Sequence, residues 1–199
     1  MEQWKEISET AKNQGLQVFF DCAYQGFASG DADKDAAAVR MFVEDGHLIS
    51  MVQSFSKNFG LYGQRVGALS VVGGTEEEAK RVVSQMKMVI RPMYSNPPRQ
   101  GSRIVTTILE DPKLTQDFME QCRGMADRIT TMRSALVEKL AEAGSTKNWD
   151  HITKQIGMFA YSGLNKEQVM SMRENQHVYC TADGRISMAV SIIIVMSHG

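Results

Sequence analysis

The sequence has little of what marks several large classes of protein. It contains three cysteines, Cys22, Cys122 and Cys180, and four histidines, and neither set has the spacing of metal ligands. The wide cysteine spacing favours reduced thiols in an intracellular compartment over a disulfide framework. We therefore expect no metal ion. The net charge is −1, without a basic stripe or an acidic tail, so we also expect no nucleic-acid partner.

Long apolar segments are also lacking. No secretory signal opens the chain, and the apolar run Ile192–Met196 is far too short to cross a bilayer. We therefore expect no membrane partner. The 199 residues contain no internal repeat or low-complexity segment, and they are enough for one or two domains with a sizeable core.

Short apolar segments instead alternate with helical patterns. Apolar runs typical of strands lie at 16–21, 48–52 and 66–72. Helices are predicted at 2–13, 33–44, 75–90, 103–109 and, as the longest, 112–142, and Thr75–Glu78 has a capping-box pattern. Short strands at 158–161, 178–179 and 185–188 and a helix near 166–174 are predicted to follow. This alternation predicts an α/β fold with a parallel or mixed sheet.

One lysine stands out by its surroundings. Lys57 lies in the segment Ser54–Gly67, which is aromatic, rich in glycine and preceded by an apolar run. Desolvation and a nearby cation both favour the neutral amine of such a lysine, which is the form that a Schiff-base lysine needs. Because open α/β sheets bind ligands just past their strand ends, Lys57 is a candidate for chemistry. The alternative is an ordinary solvated lysine.

Candidate anion ligands surround Lys57 in the same segment. Ser54 and Ser56 offer hydroxyl donors, and Arg65 offers a planar, bidentate fork. The glycines between Lys57 and Arg65 allow the backbone to fold back, so that both cations can meet one anion, such as the phosphate of an aldehyde cofactor. The alternative is a surface arginine with ordinary turns at the glycines.

A second segment indicates the kind of cofactor. Asp21 ends the first apolar run, and Tyr24 follows it closely. A carboxylate there can keep a pyridinium nitrogen protonated while a phenol donates to an oxygen on the same ring, and pyridoxal phosphate uses an Asp partner in this way. Asp21 can equally be a helix cap or a turn residue.

Four segments carry a family resemblance. Asp21–Gly30, Ser54–Gly67, Arg91–Pro98 and Asp183–Ser187 resemble, in this order, aspartate aminotransferase, a fold-type I enzyme that uses pyridoxal phosphate. The resemblance runs from about residue 1 to about Ala189 and covers only the C-terminal half of the family's chain. It implies part of the large, cofactor-binding domain at 1–112, with a mixed, mostly parallel sheet, a long connecting helix at 113–143 and an incomplete small α/β domain at 144–199.

The resemblance implies a role for each candidate in the cofactor site. Lys57 is expected to hold the cofactor as a Schiff base and to act as the general base. Asp21 is expected to pair with the pyridine nitrogen, and Tyr24 to donate to the ring 3-oxygen. Ser54 and Arg65 are expected to hold the phosphate.

Residues for substrate binding also follow from the resemblance. Arg185 matches the arginine that grips the substrate α-carboxylate. Arg91 matches the arginine that reaches, across a homodimer, the distal carboxylate bound by the neighbouring subunit. Phe159 matches an aromatic residue near the bound substrate. The residues alone leave two alternatives open, core packing for Phe159 and a cation at the end of a helix for Arg91.

The implied function is that of aspartate aminotransferase, which transfers the amino group of L-aspartate to 2-oxoglutarate and yields oxaloacetate and L-glutamate. Its substrates are dicarboxylic amino acids and 2-oxo acids. One alternative is a catalytically inactive, truncated form, because half of the family's pocket is not encoded. Another is a fold-type I aminotransferase with a different substrate.

Two further expectations concern the compartment and the end of the chain. The resemblance favours the mitochondrial matrix, although no presequence is present, and the cytoplasm is the alternative. The tail at 190–199 departs from the family's pattern, while its β-branched residues also fit a buried edge strand.

Overall fold

The computed structural model describes residues 1–189 of the chain. The tail at 190–199, which is predicted to depart from the family's pattern or to form a buried edge strand, lies outside the described residues. The helices are α1 (Glu2–Asn13), α2 (Ala32–Asp35), α3 (Ala37–Glu44), α4 (Glu76–Met93), α5 (Arg99–Glu110), α6 (Pro112–Glu142), α7 (Asp150–Lys154) and α8 (Lys166–Gln176). The strands are β1 (Phe19–Cys22), β2 (Ser50–Ser54), β3 (Gly67–Val71), β4 (Phe159–Tyr161) and β5 (Arg185–Ser187). The predicted α/β fold is confirmed.

The chain divides into two compact units. Among the described residues, unit 1 comprises 1–25 and 32–118, and unit 2 comprises 26–31 and 119–189. Helix α6 begins in unit 1 and ends in unit 2. The domain boundaries at 112 and 143 stay predictions from the sequence.

Unit 1 is built on a mixed sheet in the order β1-β2-β3. Strands β1 and β2 are parallel, and β2 and β3 are antiparallel. The ring of Phe42 on α3 is only 1% exposed, and it meets the ring of Phe20 on β1 edge-on at 5.1 Å and that of Trp4 on α1 at 6.3 Å. This aromatic cluster packs the two helices against β1, because edge-to-face pairs combine large buried areas with favourable ring electrostatics.

Unit 2 has a smaller core around the antiparallel pair β4 and β5. Four buried side chains form it, contributed by α6, α7, β4 and the end of β5: Ile129, Ile152, Ala160 and Met188. Alternate residues of β4 point to opposite faces of the pair, so Ala160 faces this core while its neighbours Phe159 and Tyr161 share the other face.

Several local predictions differ from the structure. The helix predicted at 103–109 begins earlier, at Arg99, and α7 was not predicted. The helix predicted at 33–44 is divided into α2 and α3 at Ala36. The strand predicted at 178–179 is irregular backbone. The capping box predicted at Thr75 is half formed, because the Thr75 hydroxyl accepts from the Glu78 N–H at 3.1 Å while the Glu78 carboxylate accepts from the N–H of Gly74 at 2.8 Å.

No helix within residues 1–189 combines the length and the apolar character needed to cross a membrane. Over the same residues, no group of three or more histidine, cysteine or acidic side chains is placed to hold a metal ion.

Candidate functional site

The candidate cofactor residues Asp21, Tyr24 and Lys57 lie at the carboxyl ends of β1 and β2. The parallel register pairs Asp21 with Val52 and Cys22 with Gln53. Lys57 follows the end of β2, and Tyr24 follows the end of β1. The Nζ atom of Lys57 lies over the ring of Tyr24, 5.1 Å from its centroid. The structure thus brings the lysine and the tyrosine together, as expected for residues that follow adjacent parallel strands.

Lys57 lies in a loop that is closed by the antiparallel pairing of β2 and β3. Ser54 pairs with Gly67 across the two strands, and the N–H of Phe55 donates to the carbonyl of Val66 at 3.2 Å. The strands approach so closely here that a Cβ atom on Gly67 would collide with the carbonyl oxygen of Gln53. A glycine at this position therefore allows the loop to close.

Aromatic rings support the loop from within unit 1. The rings of Phe55 and Phe59 meet edge-on at 5.3 Å, and Phe59 stacks on Phe118 at 4.2 Å. Lys57 is half-buried, and its carbonyl accepts from the N–H of Gly60 at 3.1 Å. The lysine is therefore presented from a turn whose flanks are anchored by apolar packing.

The predicted phosphate ligands occupy both ends of this loop. Ser56 is 6% exposed, and its N–H donates to the hydroxyl oxygen of Ser54 at 3.2 Å. Arg65 is exposed, has a left-handed backbone with φ of 49° and donates to the carbonyl of Tyr62 at 3.0 Å. Because the loop closes at Ser54 and Gly67, Arg65 comes back close to the strand end from which the loop departs.

Two polar residues that sequence reasoning missed link the segments after β1 and β2. The side chain of Gln25 accepts from the amide of Gln53 at 2.5 Å and donates to the carbonyl of Ala32 at 2.9 Å. The carbonyl of Gln25 accepts from the amide of Asn58 at 3.4 Å. In the part of the chain that the structure describes, the buried side-chain oxygen of Asn58 has no hydrogen-bond partner. In the sequence, only their positions next to Tyr24 and Lys57 could have indicated that Gln25 and Asn58 belong to the site.

Arg91 belongs to α4 and not to the loop that carries Lys57. It is exposed in the last turn of α4, where its guanidinium donates to the hydroxyl of Ser95 at 2.7 Å. This position suits a cation at a helix end. The guanidinium is also accessible in this position. The geometry is therefore compatible both with a cation that stabilises the helix end and with the predicted contact to substrate.

In unit 2, Arg185 and Phe159 come together on one face of the β4–β5 pair. Tyr161 pairs with Arg185, and Phe159 pairs with Ser187. The guanidinium carbon of Arg185 lies 4.9 Å from the centroid of the Phe159 ring. The diagonal positions across an antiparallel pair place these two side chains within reach, and the stacked contact is a cation–π interaction.

The turn before Arg185 is held by side-chain hydrogen bonds. The backbone N–H of Arg185 donates to the hydroxyl of Thr181 at 3.2 Å, and this hydroxyl itself bonds to the Asp183 carboxylate. The Thr181 hydroxyl and the Arg185 N–H hold the pKa of Asp183 below its ordinary value. Gly184 has a φ of +82°, which favours glycine.

Comparisons with known proteins cover nearly the whole chain. The sequence profile described as "Aminotransferase class I and II" matches residues 1–192. The chain is 57% identical over 188 residues to the mitochondrial aspartate aminotransferase of Dictyostelium discoideum, which covers 94% of this chain and 44% of that protein. It is 53% identical over 189 residues to the cytoplasmic aspartate aminotransferase of Oryza sativa subsp. japonica, which covers 95% of this chain and 46% of that protein.

Solved structures are similar over the same extent. A mitochondrial aspartate aminotransferase from Trypanosoma brucei has a TM-score of 0.92 at 42% identity and covers 98% of this chain and 52% of its own. An aromatic-amino-acid aminotransferase from Burkholderia pseudomallei, covalently bound to pyridoxal phosphate, has a TM-score of 0.94 at 43% identity and covers 98% and 50%. The chain spans about half the length of the relatives that it matches.

Proposed function

Because the chain belongs to the class I and II aminotransferases, which use pyridoxal phosphate, we propose that it serves the transfer of an amino group from L-aspartate to 2-oxoglutarate. The products are oxaloacetate and L-glutamate. One observation carries the proposal: the amine of Lys57 lies over the ring of Tyr24 at the strand ends where Asp21 also lies. High identity to relatives named aspartate aminotransferase supports the choice of substrate.

The residues around Lys57 fit pyridoxal phosphate in their chemistry. An amine, a phenol and a carboxylate are what its aldehyde, its ring oxygen and its ring nitrogen require. Serine hydroxyls and a guanidinium are suitable phosphate ligands. The buried side-chain oxygen of Asn58 has no hydrogen-bond partner within residues 1–189 and can accept a bond from a donor beside this loop, such as water. Bound pyridoxal phosphate supplies an electron sink for negative charge at the substrate Cα.

The residues of the chain itself bind the cofactor and transfer the proton. Lys57 would hold the cofactor and, once its amine is free, would take the proton from the substrate Cα and deliver it to the former aldehyde carbon of the cofactor. Asp21 keeps a proton on the pyridine nitrogen, and Tyr24 donates to the ring oxygen. Ser54, Ser56 and Arg65 hold the phosphate.

Two arginines are assigned to substrate binding. The planar fork of Arg185 suits the α-carboxylate, since two parallel N–H groups match two carboxylate oxygens, and Phe159 supports the fork from below. Arg91 binds the distal carboxylate in the site of a partner copy, which requires a homodimer. Relatives occur in mitochondria and in the cytoplasm, and we assign this chain to the mitochondrial matrix.

Borohydride reduction after incubation with pyridoxal phosphate tests the cofactor site. We expect peptide mass mapping to find the phosphopyridoxyl group on Lys57 alone, and Lys57→Arg to remove it. Tags scattered over many lysines, and unchanged in Lys57→Arg, would contradict the proposal. With the tag confined to Lys57, formation of oxaloacetate from aspartate and 2-oxoglutarate then measures activity directly.

A second candidate substrate class is favoured by one comparison. The similarity to an aromatic-amino-acid aminotransferase is as high as that to the aspartate enzymes of known structure. Arg91→Ala separates the two readings, because loss of the distal guanidinium should weaken dicarboxylic substrates selectively. Unchanged preference for aspartate over aromatic amino acids would remove Arg91 from substrate recognition.

An inactive form of the protein is favoured by exposed apolar surface in unit 1. Every residue of β3 is exposed, and no residue of α4 is buried. Apolar side chains on them, such as Leu69, Val83 and Met88, are about half exposed or more, and large apolar patches drive association. Sedimentation velocity distinguishes the cases: a compact dimer supports the enzyme, whereas soluble aggregates support the inactive form.

A further inference from the structure

Arg133, a buried arginine on α6, has no part in the proposed cofactor or substrate binding. Arg133 is 3% exposed, and burial lowers the pKa of its guanidinium. The guanidinium donates to the carbonyls of Ile152 at 2.7 Å, Gly157 at 2.8 Å and Phe159 at 2.6 Å. Burying a charge is costly unless hydrogen bonds compensate it, and here three main-chain acceptors do so. These three hydrogen bonds attach α6 to the segment that leads into β4.

The three carbonyls belong to consecutive parts of that segment. Ile152 lies in α7, Gly157 lies in the irregular linker and Phe159 begins β4. A single planar group with donors in a fixed fork therefore sets the relative position of a helix, a linker and a strand. The amide of Gln155 adds a second tie, since it donates to the carbonyl of Tyr161 at 3.0 Å and accepts from its N–H at 2.7 Å.

The strand held in this way carries the ring beneath Arg185. The carbonyl of Phe159 is an acceptor for Arg133, and the ring of the same residue lies 4.9 Å from the guanidinium carbon of Arg185. A shift of β4 along α6 therefore moves the ring and removes the support on which the exposed guanidinium of Arg185 rests. Two arginines are thus coupled through one residue, with the main chain of Phe159 on one side and its ring on the other.

We propose that Arg133 is a positioning residue for substrate carboxylate binding, acting through the main chain of Phe159 and its ring to orient Arg185. The proposal rests on the proposed function of Arg185. Arg133 itself makes no contact with substrate. A lysine at 133 keeps the charge but cannot span three carbonyls in one plane, and a methionine keeps the length of the stem but provides no donor.

Replacement of the Arg133 side chain is compatible with a folded unit 2. A cavity of about 180 Å³ lies against Arg133, and Thr130, Ser134 and Thr153 also line it. This space is large enough for water, which can hydrate the carbonyls that lose the guanidinium. Arg133→Met and Arg133→Lys are therefore usable variants, and Arg123→Met, at an exposed position of the same helix, is a matched control.

The test follows the side chain of Arg185 by NMR in the full chain, with its non-exchanging Cδ–Hδ signal assigned by its loss in Arg185→Lys. The ring of Phe159 should shift this signal upfield in the parent chain. Titration with succinate, an unreactive dicarboxylate, then gives the affinity of the site. We expect Arg133→Met to abolish the ring shift and weaken succinate binding by on the order of 10- to 100-fold, as misplacement by about 1 Å does in active sites.

Arg133→Lys should give a smaller loss, and Arg123→Met none. The proposal is overturned if either Arg133 variant keeps native far-UV circular dichroism together with the parental ring shift and succinate affinity. If Arg133→Met does not fold, the measurements on Arg133→Lys decide whether the proposal holds. If unit 2 unfolds in both variants, the proposal is also overturned, because the role of Arg133 would then be structural. Failure of the proposed function looks different: the parent shows the ring shift but does not respond to succinate.

Discussion

Whether close packing constrains the turn before Arg185 can be tested quantitatively. Unit 2 contains a glycine in this turn and a second glycine that has the same backbone angle in open surroundings. Gly184 and Gly144 both have a φ of +82°. A Cβ atom on Gly184 would lie 2.7 Å from the carbonyl oxygen of Leu164 and 2.9 Å from the hydroxyl of Ser162, whereas a Cβ atom on Gly144 would meet nothing within 4 Å. Replacing each glycine by alanine therefore separates backbone strain from steric overlap.

The expected magnitudes follow from these two contributions. A left-handed conformation costs an L-residue about 1–2 kcal/mol, which applies to both variants. Overpacking adds about 1–3 kcal/mol, which applies only to Gly184→Ala. The entropy that alanine removes from the unfolded chain is the same in both and cancels in the difference. Gly184→Ala should thus lower the free energy of unfolding of unit 2 by about 1–3 kcal/mol more than Gly144→Ala does.

Urea unfolding of unit 2 measures the difference. The chain has two tryptophans, Trp4 in unit 1 and Trp149 against the core of unit 2, so a Trp4→Phe background makes Trp149 fluorescence a reporter of unit 2. The slope of the transition should stay unchanged while its midpoint falls. If Gly184→Ala and Gly144→Ala differ by less than about 0.5 kcal/mol, which is the size of ordinary surface effects, the close contacts of Gly184 do not constrain the turn.

Three further predictions follow from burial and charge. Burial and then the nearby charge of Asp35 raise the pKa of Cys22, so Asp35→Asn should speed its alkylation by iodoacetamide at pH 8, and an unchanged rate by mass spectrometry would contradict the charge effect. Phe42→Ala should cost about 3–5 kcal/mol in urea unfolding, as for other buried aromatic residues, and a loss below about 1 kcal/mol would mean that the aromatic cluster is loosely packed. The hydrogen bond from Thr181 lowers the pKa of Asp183 below its ordinary value of 3.8; the stabilisation by the carboxylate is therefore complete above that value and lost as the pH falls through the lower, folded-state pKa. Thr181→Val should consequently reduce stability more near neutral pH than in strong acid, where only the bonds of the hydroxyl to the Arg185 backbone are lost. A constant difference across the pH range would exclude this linkage.

Helix boundaries were largely predictable, because they depend on neighbours in the sequence. The helix at 2–13 and the long helix from Pro112 to Glu142 are confirmed. The break at Ala36 was not predicted, since alanine is the best helix former. The guanidinium of Arg40 donates to the carbonyl of Asp33 at 2.6 Å and to its carboxylate at 2.6 Å. These contacts join residues seven positions apart across the break, and no local pattern indicates them.

The candidate site was predictable to a different degree in each unit. In unit 1 the residue types of the Lys57 segment point to a Schiff-base lysine with anion ligands, and the parallel strands bring that lysine to Tyr24. The link through Gln25 and Asn58 was missed, because amide side chains carry no distinctive spacing. In unit 2 Arg185 and Phe159 were named by resemblance alone, and their stacked contact comes from the register of β4 and β5.

The sequence by itself determined the family, the alternation of strands and helices and the identity of the chemically useful side chains, because these are written in short segments and local periodicity. Only the tertiary structure decided which of those side chains meet. Arg133 and Phe159 are 26 residues apart in the chain and become hydrogen-bonded partners only when α6 packs against β4. An arginine on a helix is ordinarily a solvated cation, and packing between distant segments made this one a buried support.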